Sequence, residues 1–468
     1  MMKALRELSA AAAIIIISSP LILALDYDKE GGKPAQEVSS GGDAQKLSAD
    51  AEKLSAPGPD ITYAQVMERP DDPALNYAYA RAQVRRGDLK GAASTLERML
   101  MVDPSLHNIR LFYAIVLYRL DNLVESGREL ETLRGSGAPA DVREEAGKYL
   151  KAIRRKQRTT ILSGSLGTGF EYDYNRNASP ASGKRLFAGA ELPLTGDSRR
   201  QGDSAYIFTG NAGVKRGFGA GNRHEAFGSF SYYRADQKHV ESVSLRAFSY
   251  RAGVKYRAGL TEITPRLFLD HVLLARKRFM DNTGAALRLD RKIGKRNGVF
   301  LEAGHAYHGN FPTPGVLSNP ERKGGFDTLS AGAGRVLGPT MKLDAEAYFA
   351  RKRAHRHYNS FDRAEFGLKH SWLLGSGMFL LSSAYIGRDG YRQADTAIGP
   401  RKRADDTFRG GALFGVPVSA LHRRLARLDD LALTLNYEYF RSDSNITNYT
   451  YDNHKAVLML TYKWEAGI

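Results

Sequence analysis

The feature that most narrows the fold is a two-residue alternation through the last three hundred residues. From Ile161 onward helical spacing vanishes, and apolar and polar side chains take turns. In 431–439, Leu431, Leu433, Leu435, Tyr437 and Tyr439 share one face of an extended strand, opposite Ala432, Thr434, Asn436 and Glu438. In 341–349, Met341, Leu343, Ala345, Ala347 and Phe349 oppose Lys342, Asp344 and Glu346. In 262–270, Ile263, Pro265, Leu267 and Leu269 oppose Glu262, Thr264, Arg266 and Asp270. The last such strand sets Leu458, Leu460, Tyr462, Trp464, Ala466 and Ile468 on one side.

A half-buried soluble sheet and a membrane barrel both give this pattern. Three features favour the barrel. The apolar face often ends in Tyr, Phe or Trp, as an aromatic girdle does, and full charges of both signs line the other face, which suits a wet lumen. The connections also alternate in length. Arg257-Ala258-Gly259, Ile293-Gly294-Lys295-Arg296, Leu337-Gly338-Pro339 and Leu374-Gly375-Ser376-Gly377 read as tight turns. Ala275–Asp281, His308–Gly325, Arg351–Ser360 and Arg388–Asp405 read as long connections between them. About fifteen segments qualify as strands, and since such barrels have even strand numbers, about fourteen are expected. Ile161–Asp173 and Asn222–Arg234 alternate least well.

Bulk composition neither supports nor opposes a barrel. A mean hydropathy of −0.40 and 25% charged residues resemble a soluble protein, but faces that alternate cancel in any such average. They do exclude a bundle of membrane helices. Cysteine is absent, which removes disulfides, thiolate metal sites and a lipid-modified cysteine. The net charge of +17 first suggests nucleic acid. The basic residues, however, cluster at strand ends, in Arg276-Lys277-Arg278, Arg351-Lys352-Arg353 and Arg401-Lys402-Arg403, where they suit an anionic lipid surface.

Residues 1–24 read as a signal peptide: Lys3 and Arg6 begin it, an apolar run including Ile14-Ile15-Ile16-Ile17 follows, and Ala24 precedes cleavage. Residues 25–69, with Gly31-Gly32, Gly41-Gly42 and Pro57-Gly58-Pro59, read as a flexible linker. Residues 70–158 then repeat every 34 positions: Pro70 with Pro104, Tyr79 with Tyr113, Ala80 with Ala114, Leu89 with Leu123, Leu96 with Leu130. That is the period of the tetratricopeptide repeat, two helices per unit. The first unit has Ala80, Gly87, Ala92, Leu96 and Pro104 at its small, turn and packing positions; in the second, Asp121 and Ser126 replace the turn glycine and a small residue. A third helix, about Asp141–Arg158, reads as a cap. The concave face of the repeats would carry Tyr77, Arg81, Arg85, Leu111, Ile115, Tyr118 and Arg119. Aromatic and arginine residues there are either partner anchors or, for Tyr77 and Leu111, ordinary packing between helices.

The expected fold is therefore α plus membrane β: a short tetratricopeptide-like domain, 70–158, followed by an antiparallel transmembrane barrel of about fourteen strands, 161–468. In order and size the modules resemble the surface lipoprotein assembly modulator (Slam) family. Gly87-Asp88, Leu96-Glu97-Arg98 and Asp103-Pro104 in the repeats carry the resemblance, together with Gly169-Phe170-Glu171-Tyr172-Asp173-Tyr174-Asn175-Arg176-Asn177 where the chain enters the barrel. The resemblance implies a protein that helps one client, a surface lipoprotein or a secreted haem-binding protein, cross the outer membrane. The repeats would act from the periplasm. Implied partners are the client, outer-membrane lipid, periplasmic chaperones and the barrel assembly machinery. An exopolysaccharide export porin and a passive nutrient channel are the alternatives.

No catalytic, cofactor or metal site is expected. Gly217-Phe218-Gly219-Ala220-Gly221 lacks the strand–helix context of a dinucleotide loop. His305 and His308, three apart in a strand, face opposite ways, and His355 and His357 lack a carboxylate at ligand spacing.

Overall fold

The structure is a computed structural model that describes residues 61–157, 159–219, 222–313, 316–425 and 428–467. The expected signal peptide and nearly all of the expected linker lie outside the described residues. Two compact units result, one helical and one β.

The helical unit runs through α1 (Tyr63–Glu68), α2 (Pro73–Arg86), α3 (Leu89–Val102), α4 (His107–Arg119), α5 (Leu123–Gly135) and α6 (Ala140–Gln157). Helix α1 falls in the segment expected to be linker. A capping box between Thr62 and Gln65 starts it, and Val66 is buried. Helix α2 starts at the Asp72 side chain, which accepts from the backbone of Ala74 and Leu75, with Pro73 in the first turn. It ends at Gly87, whose φ of 84° is left-handed.

Positions 34 apart in the helical unit are buried alike. Ala80 and Ala114, and Leu96 and Leu130, are each fully buried. The degenerate second unit keeps the geometry of the first. Asp121, 34 positions after Gly87, also has a left-handed backbone, with a φ of 63°. Ser126, standing where the first unit has Ala92, is fully buried and donates its hydroxyl to the Ala114 carbonyl at 2.7 Å.

The β unit is a closed antiparallel barrel of fourteen strands. Its wall is β1 (Thr160–Asp173), β4 (Asp203–Phe218), β5 (His224–Gln237), β6 (Leu245–Ala258), β7 (Thr261–Leu274), β8 (Lys277–Ile293) and β9 (Asn297–Asn310). It continues through β10 (Gly324–Val336), β11 (Met341–Ala354), β12 (Phe361–Leu373), β13 (Phe379–Ala394), β14 (Lys402–Pro417), β15 (Leu431–Ser444) and β16 (Tyr451–Gly467). Strand β16 closes on β1. A separate hairpin, β2 (Lys184–Phe187) with β3 (Ala190–Pro193), interrupts the connection from β1 to β4.

Both poorly alternating segments are full wall strands. The expected strict alternation of short and long connections does not hold. Ala275–Asp281 is no long loop: β7 turns into β8 over Ala275 and Arg276 alone, both at positive φ, the backbone that two-residue hairpins need. On the opposite rim, where the other turns are tight, residues 418–430 join β14 to β15 and contain a short helix, α7 (Val418–Leu421).

Candidate functional site: a capped, charged lumen

Alternation sorts the wall into two chemistries. Outward from β16 point Leu458, Leu460, Tyr462 and Trp464, all exposed; inward point Asn453, Lys455 and Val457, all buried. The other strands follow suit, with Leu267, Leu287, Leu301, Leu343, Phe366, Ile386 and Leu435 outward and exposed. Aromatic side chains edge this belt at both rims. Tyr206, Tyr250, Tyr307 and Tyr437 stand toward one end, and Tyr256, Trp372, Tyr462 and Trp464 toward the other. From His454 to Trp464 the strand climbs about 34 Å, which at a tilt of about 40° spans about 25 Å of bilayer. The wall is that of an outer-membrane β-barrel.

Inside, the wall is built from a repeated row of three neighbours. Phe227, Phe268, Phe300, Tyr385 and Phe379 each face a glycine directly across the ladder: Gly253, Gly284, Gly332, Gly367 and Gly415. A Cβ at Gly284 would come within 2.5 Å of the Phe268 ring, and one at Gly367 within 2.6 Å of the Tyr385 ring. The missing side chain lets each ring lie over the adjacent strand instead of projecting into the lumen.

Cations then lie on the rings. Arg251 is 5.4 Å from the centroid of Phe268, Arg288 is 4.0 Å from Phe300, and Arg409 is 5.0 Å from Tyr385. Carboxylates from nearby strands hold the cations in turn: Asp270 is 2.7 Å from Arg251, Glu302 is 3.6 Å from Arg288 and 2.6 Å from Arg266, and Glu365 is 3.1 Å from Arg409. Lys369–Glu346 and Arg363–Asp389 continue the ladder. The result is a surface that carries fixed charges of both signs.

The rim that carries the long connections is covered. The segment from Asn175 to Gly202 is pinned by the motif singled out in the sequence. Asn175 donates its backbone N–H to Asn453 Oδ1 at 2.8 Å and its amide to the carbonyls of Asp452 and Ser179. Asn177 donates to the carbonyls of Asp197 and Arg199. Arg176 lies 3.4 Å from both Glu171 and Asp173 and donates to the Val243 carbonyl. The β2–β3 hairpin docks on 395–401, Ala188 and Gly189 donating to the carbonyls of Ala397 and Ile398. Its Leu186 exchanges hydrogen bonds with the Asn448 side chain.

From across the barrel, the β9–β10 connection folds in. Asn319 donates to the carbonyls of Phe279 and Phe311, and Val316 is fully buried. Beneath lies an apolar cluster of lumen-facing Ile207, Ala235, Val272, Phe279 and Val457. Arg322, also from this connection, sits in the field of Tyr449, Tyr391 and Arg403, which belong to β13–β16. Burial pulls its pKa down, and burial likewise pushes Arg185 of β2 down to about 10. Asp395 in the β13–β14 connection moves up, chiefly by burial and further by Glu321. Burial is the leading cause of all three shifts.

The residues expected on the concave face of the repeats divide differently. Ile115 is buried, and Tyr118 stands edge-on to Tyr149 at 5.5 Å. Tyr77 stands edge-on to Phe112 at 5.6 Å, and Leu111 packs beside Ile115. Arg81 and Arg85 are half-buried, and Arg119 is exposed. His305 faces outward to Asp327 at 2.6 Å, while His308 faces inward against Phe326, the two on opposite faces as expected. Among the described residues no group of three His, Asp or Glu is placed to hold a metal.

No family model and no curated protein matches the chain. Among solved structures, it is similar to OpdO of Pseudomonas aeruginosa, with 12% identity, a TM-score of 0.33, and 66% of this chain and 97% of that one covered. It is also similar to a loop-deleted OmpT, an outer-membrane protein of Vibrio cholerae, at 10%, 0.36, 65% and 99%. A third is OccK8 (OprE) of Pseudomonas aeruginosa, at 8%, 0.34, 66% and 98%. Similarity this distant adds nothing to the architecture already described.

Proposed function

We propose that the protein is an outer-membrane translocator that helps one client, a surface lipoprotein or a secreted haem-binding protein, across the membrane, with the helical unit assisting from the periplasm. The observation that carries this reading is the cap. A polar lumen whose rim is covered by hydrogen-bonded connections suits a passage opened for a specific cargo better than a permanently open pore. The helical unit supports it, because short repeat modules act chiefly by binding, and Arg119 of its expected concave face is exposed. The resemblance to the surface lipoprotein assembly modulators points the same way.

Deletion of the gene tests the reading. One surface-exposed lipoprotein or secreted haem-binding protein should disappear from the cell exterior and accumulate inside. A surface proteome unchanged by the deletion overturns it. A passive nutrient channel would instead show steady conductance in a planar bilayer, which the cap disfavours.

A further inference from the structure

Outward-facing charge is arranged differently at the two rims. At the rim of the long connections the outward arginines have aspartates: Arg353 with Asp327, Arg351 and Arg392 with Asp362, Arg441 with Asp443. At the rim of the tight turns, around the turn from β8 to β9, they do not. Strand β8 sets Leu287, Leu289 and Arg291 outward in succession, and β10 sets Ala331, Ala333 and Arg335, all exposed. The turn itself is Gly294-Lys295-Arg296, kept tight by Gly294 at a φ of 66°, with Lys295 and Arg296 exposed. Register brings these cations together. Arg335 faces Asn297 across the ladder, and Val336 donates its N–H to the Arg296 carbonyl at 2.8 Å. Arg291 faces Val299, one two-residue step from Asn297, so the Cα atoms of Arg291 and Arg335 lie about 12 Å apart. The carboxylates on these strands and on their neighbours turn to the lumen, each beside a cation there: Asp290 with Arg288, Glu262 with Arg257, Asp344 with Lys342. Among the described residues no ion pair reaches Arg291, Lys295, Arg296 or Arg335.

We propose that this cluster binds the headgroup of an anionic phospholipid in the periplasmic leaflet, its acyl chains lying along Leu287, Leu289 and Leu301. The inference rests on the wall facing a bilayer with its short turns on the periplasmic side. Charge complementarity selects an anion, because four cations stand together with no carboxylate on their own face. Depth selects a lipid over a soluble partner. Tyr256, Ile263 and Leu289 share one ladder row of the outward face, and Arg291 is the next outward residue past it. Its guanidinium therefore leaves the apolar belt at the height where aromatic rings mark the interface. Arg335 follows Ala333 in the same way. A macromolecule arriving from the periplasm would meet Lys295 and Arg296 in the turn, whereas Arg291 and Arg335 stand on the lipid side of the wall. Guanidinium N–H groups fork onto phosphate oxygens. Phosphatidylglycerol brings that phosphate as its only charge. Phosphatidylethanolamine brings an ammonium as well, for which the cluster has no acceptor carboxylate.

The test uses the purified full chain in detergent, titrated separately with phosphatidylglycerol and phosphatidylethanolamine, with adducts counted by native mass spectrometry. Phosphatidylglycerol should bind about tenfold more tightly, the worth of one or two basic side chains at a lipid headgroup. The double variant R291Q/R335Q should erase the preference. K90Q/R143Q, which removes the same charge from exposed positions of the helical unit, should keep it. Equal binding of the two lipids by the native chain, or a preference that survives R291Q/R335Q, overturns the proposal. Glycerol 3-phosphate in excess, an anion of the same kind without acyl chains, should leave the lipid in place; full displacement would mark a site for soluble anions and overturn the lipid assignment. Flotation with phosphatidylcholine vesicles separates the two readings: a chain that does not float fails the membrane assignment itself, whereas one that floats without lipid preference fails only the cluster.

Discussion

At the scale of single residues, the second helical repeat shows how much a degenerate position can depart from its pattern. Asp121 stands where a glycine belongs, and it adopts the left-handed backbone all the same. That conformation disfavours a side chain, and replacing it by glycine relieves the cost. Asp121→Gly should stabilise the helical unit by about 0.5–1 kcal/mol, raising its melting transition, followed by circular dichroism at 222 nm, by about 3–5 °C. A lower transition would show that the aspartate side chain supports the turn rather than straining it. Asp103, at the α3–α4 junction, gives a pH dependence. Its carboxylate accepts the Ser105 hydroxyl at 2.6 Å and the Ser105 N–H at 2.9 Å, and these bonds lower its pKa from the usual 3.8. A lowered folded value contributes stability above the unfolded value and loses it as pH falls through the folded one. Acidification below about pH 4 should therefore weaken the helical unit less in Asp103→Asn than in the native chain, read by the same transition. The 34-residue spacing made Asp121 and Ser126 legible in the sequence as departures from the first unit. What it did not reveal is that Ser126 serves as a packing residue, because that depends on the Ala114 carbonyl being in reach of its hydroxyl.

Within elements, alternation told which face of each strand looks outward, since a side-chain period of two needs no knowledge of neighbours. It could not tell which residue meets which. The glycine–aromatic–cation rows exist only once register is set: Phe268 and Gly284 are sixteen positions apart, and nothing local joins them. The two-residue turn at Ala275–Arg276 was missed for a related reason, because a basic run with no glycine resembles a loop more than a tight hairpin. The rows make a direct expectation. Gly284→Val would drive the Phe268 ring off the adjacent strand and into the lumen, dislodging Arg251, at a cost of about 2–3 kcal/mol. The temperature at which the detergent-solubilised barrel shifts to its unfolded mobility on a gel should fall by several degrees. Gly390→Val on the same barrel has open space around the new side chain and should leave it unchanged. Equal effects from both substitutions would mean that the slots contribute nothing particular.

For the whole molecule, the two units ask different questions of the same transport reading, and two deletions separate them. The Asn-rich stretch 169–177 was visible in the sequence as unusual, but its role as the anchor of a cap needed partners 278 positions away, such as Asn453. Removing 180–195 takes out the β2–β3 hairpin while leaving Asn175, Arg176 and Asn177 in place. Residues 311–313 and 316–323 still fold inward, so the lumen opens only partly. Single-channel conductance in a planar bilayer should rise several-fold over the native chain, and an unchanged conductance would mean that the hairpin does not obstruct the lumen. Removing 61–157 instead takes out the helical unit and keeps every residue of the wall strands and of the cap. The barrel should therefore insert and remain closed, yet export of the client should fail if the repeats deliver it. The pairing of results is what decides. Export lost with conductance unchanged in the second deletion, and conductance raised in the first, is the signature of a gated passage served by a separate docking module. Export surviving the loss of 61–157 would leave the barrel as the whole machine, and the helical unit would need another purpose.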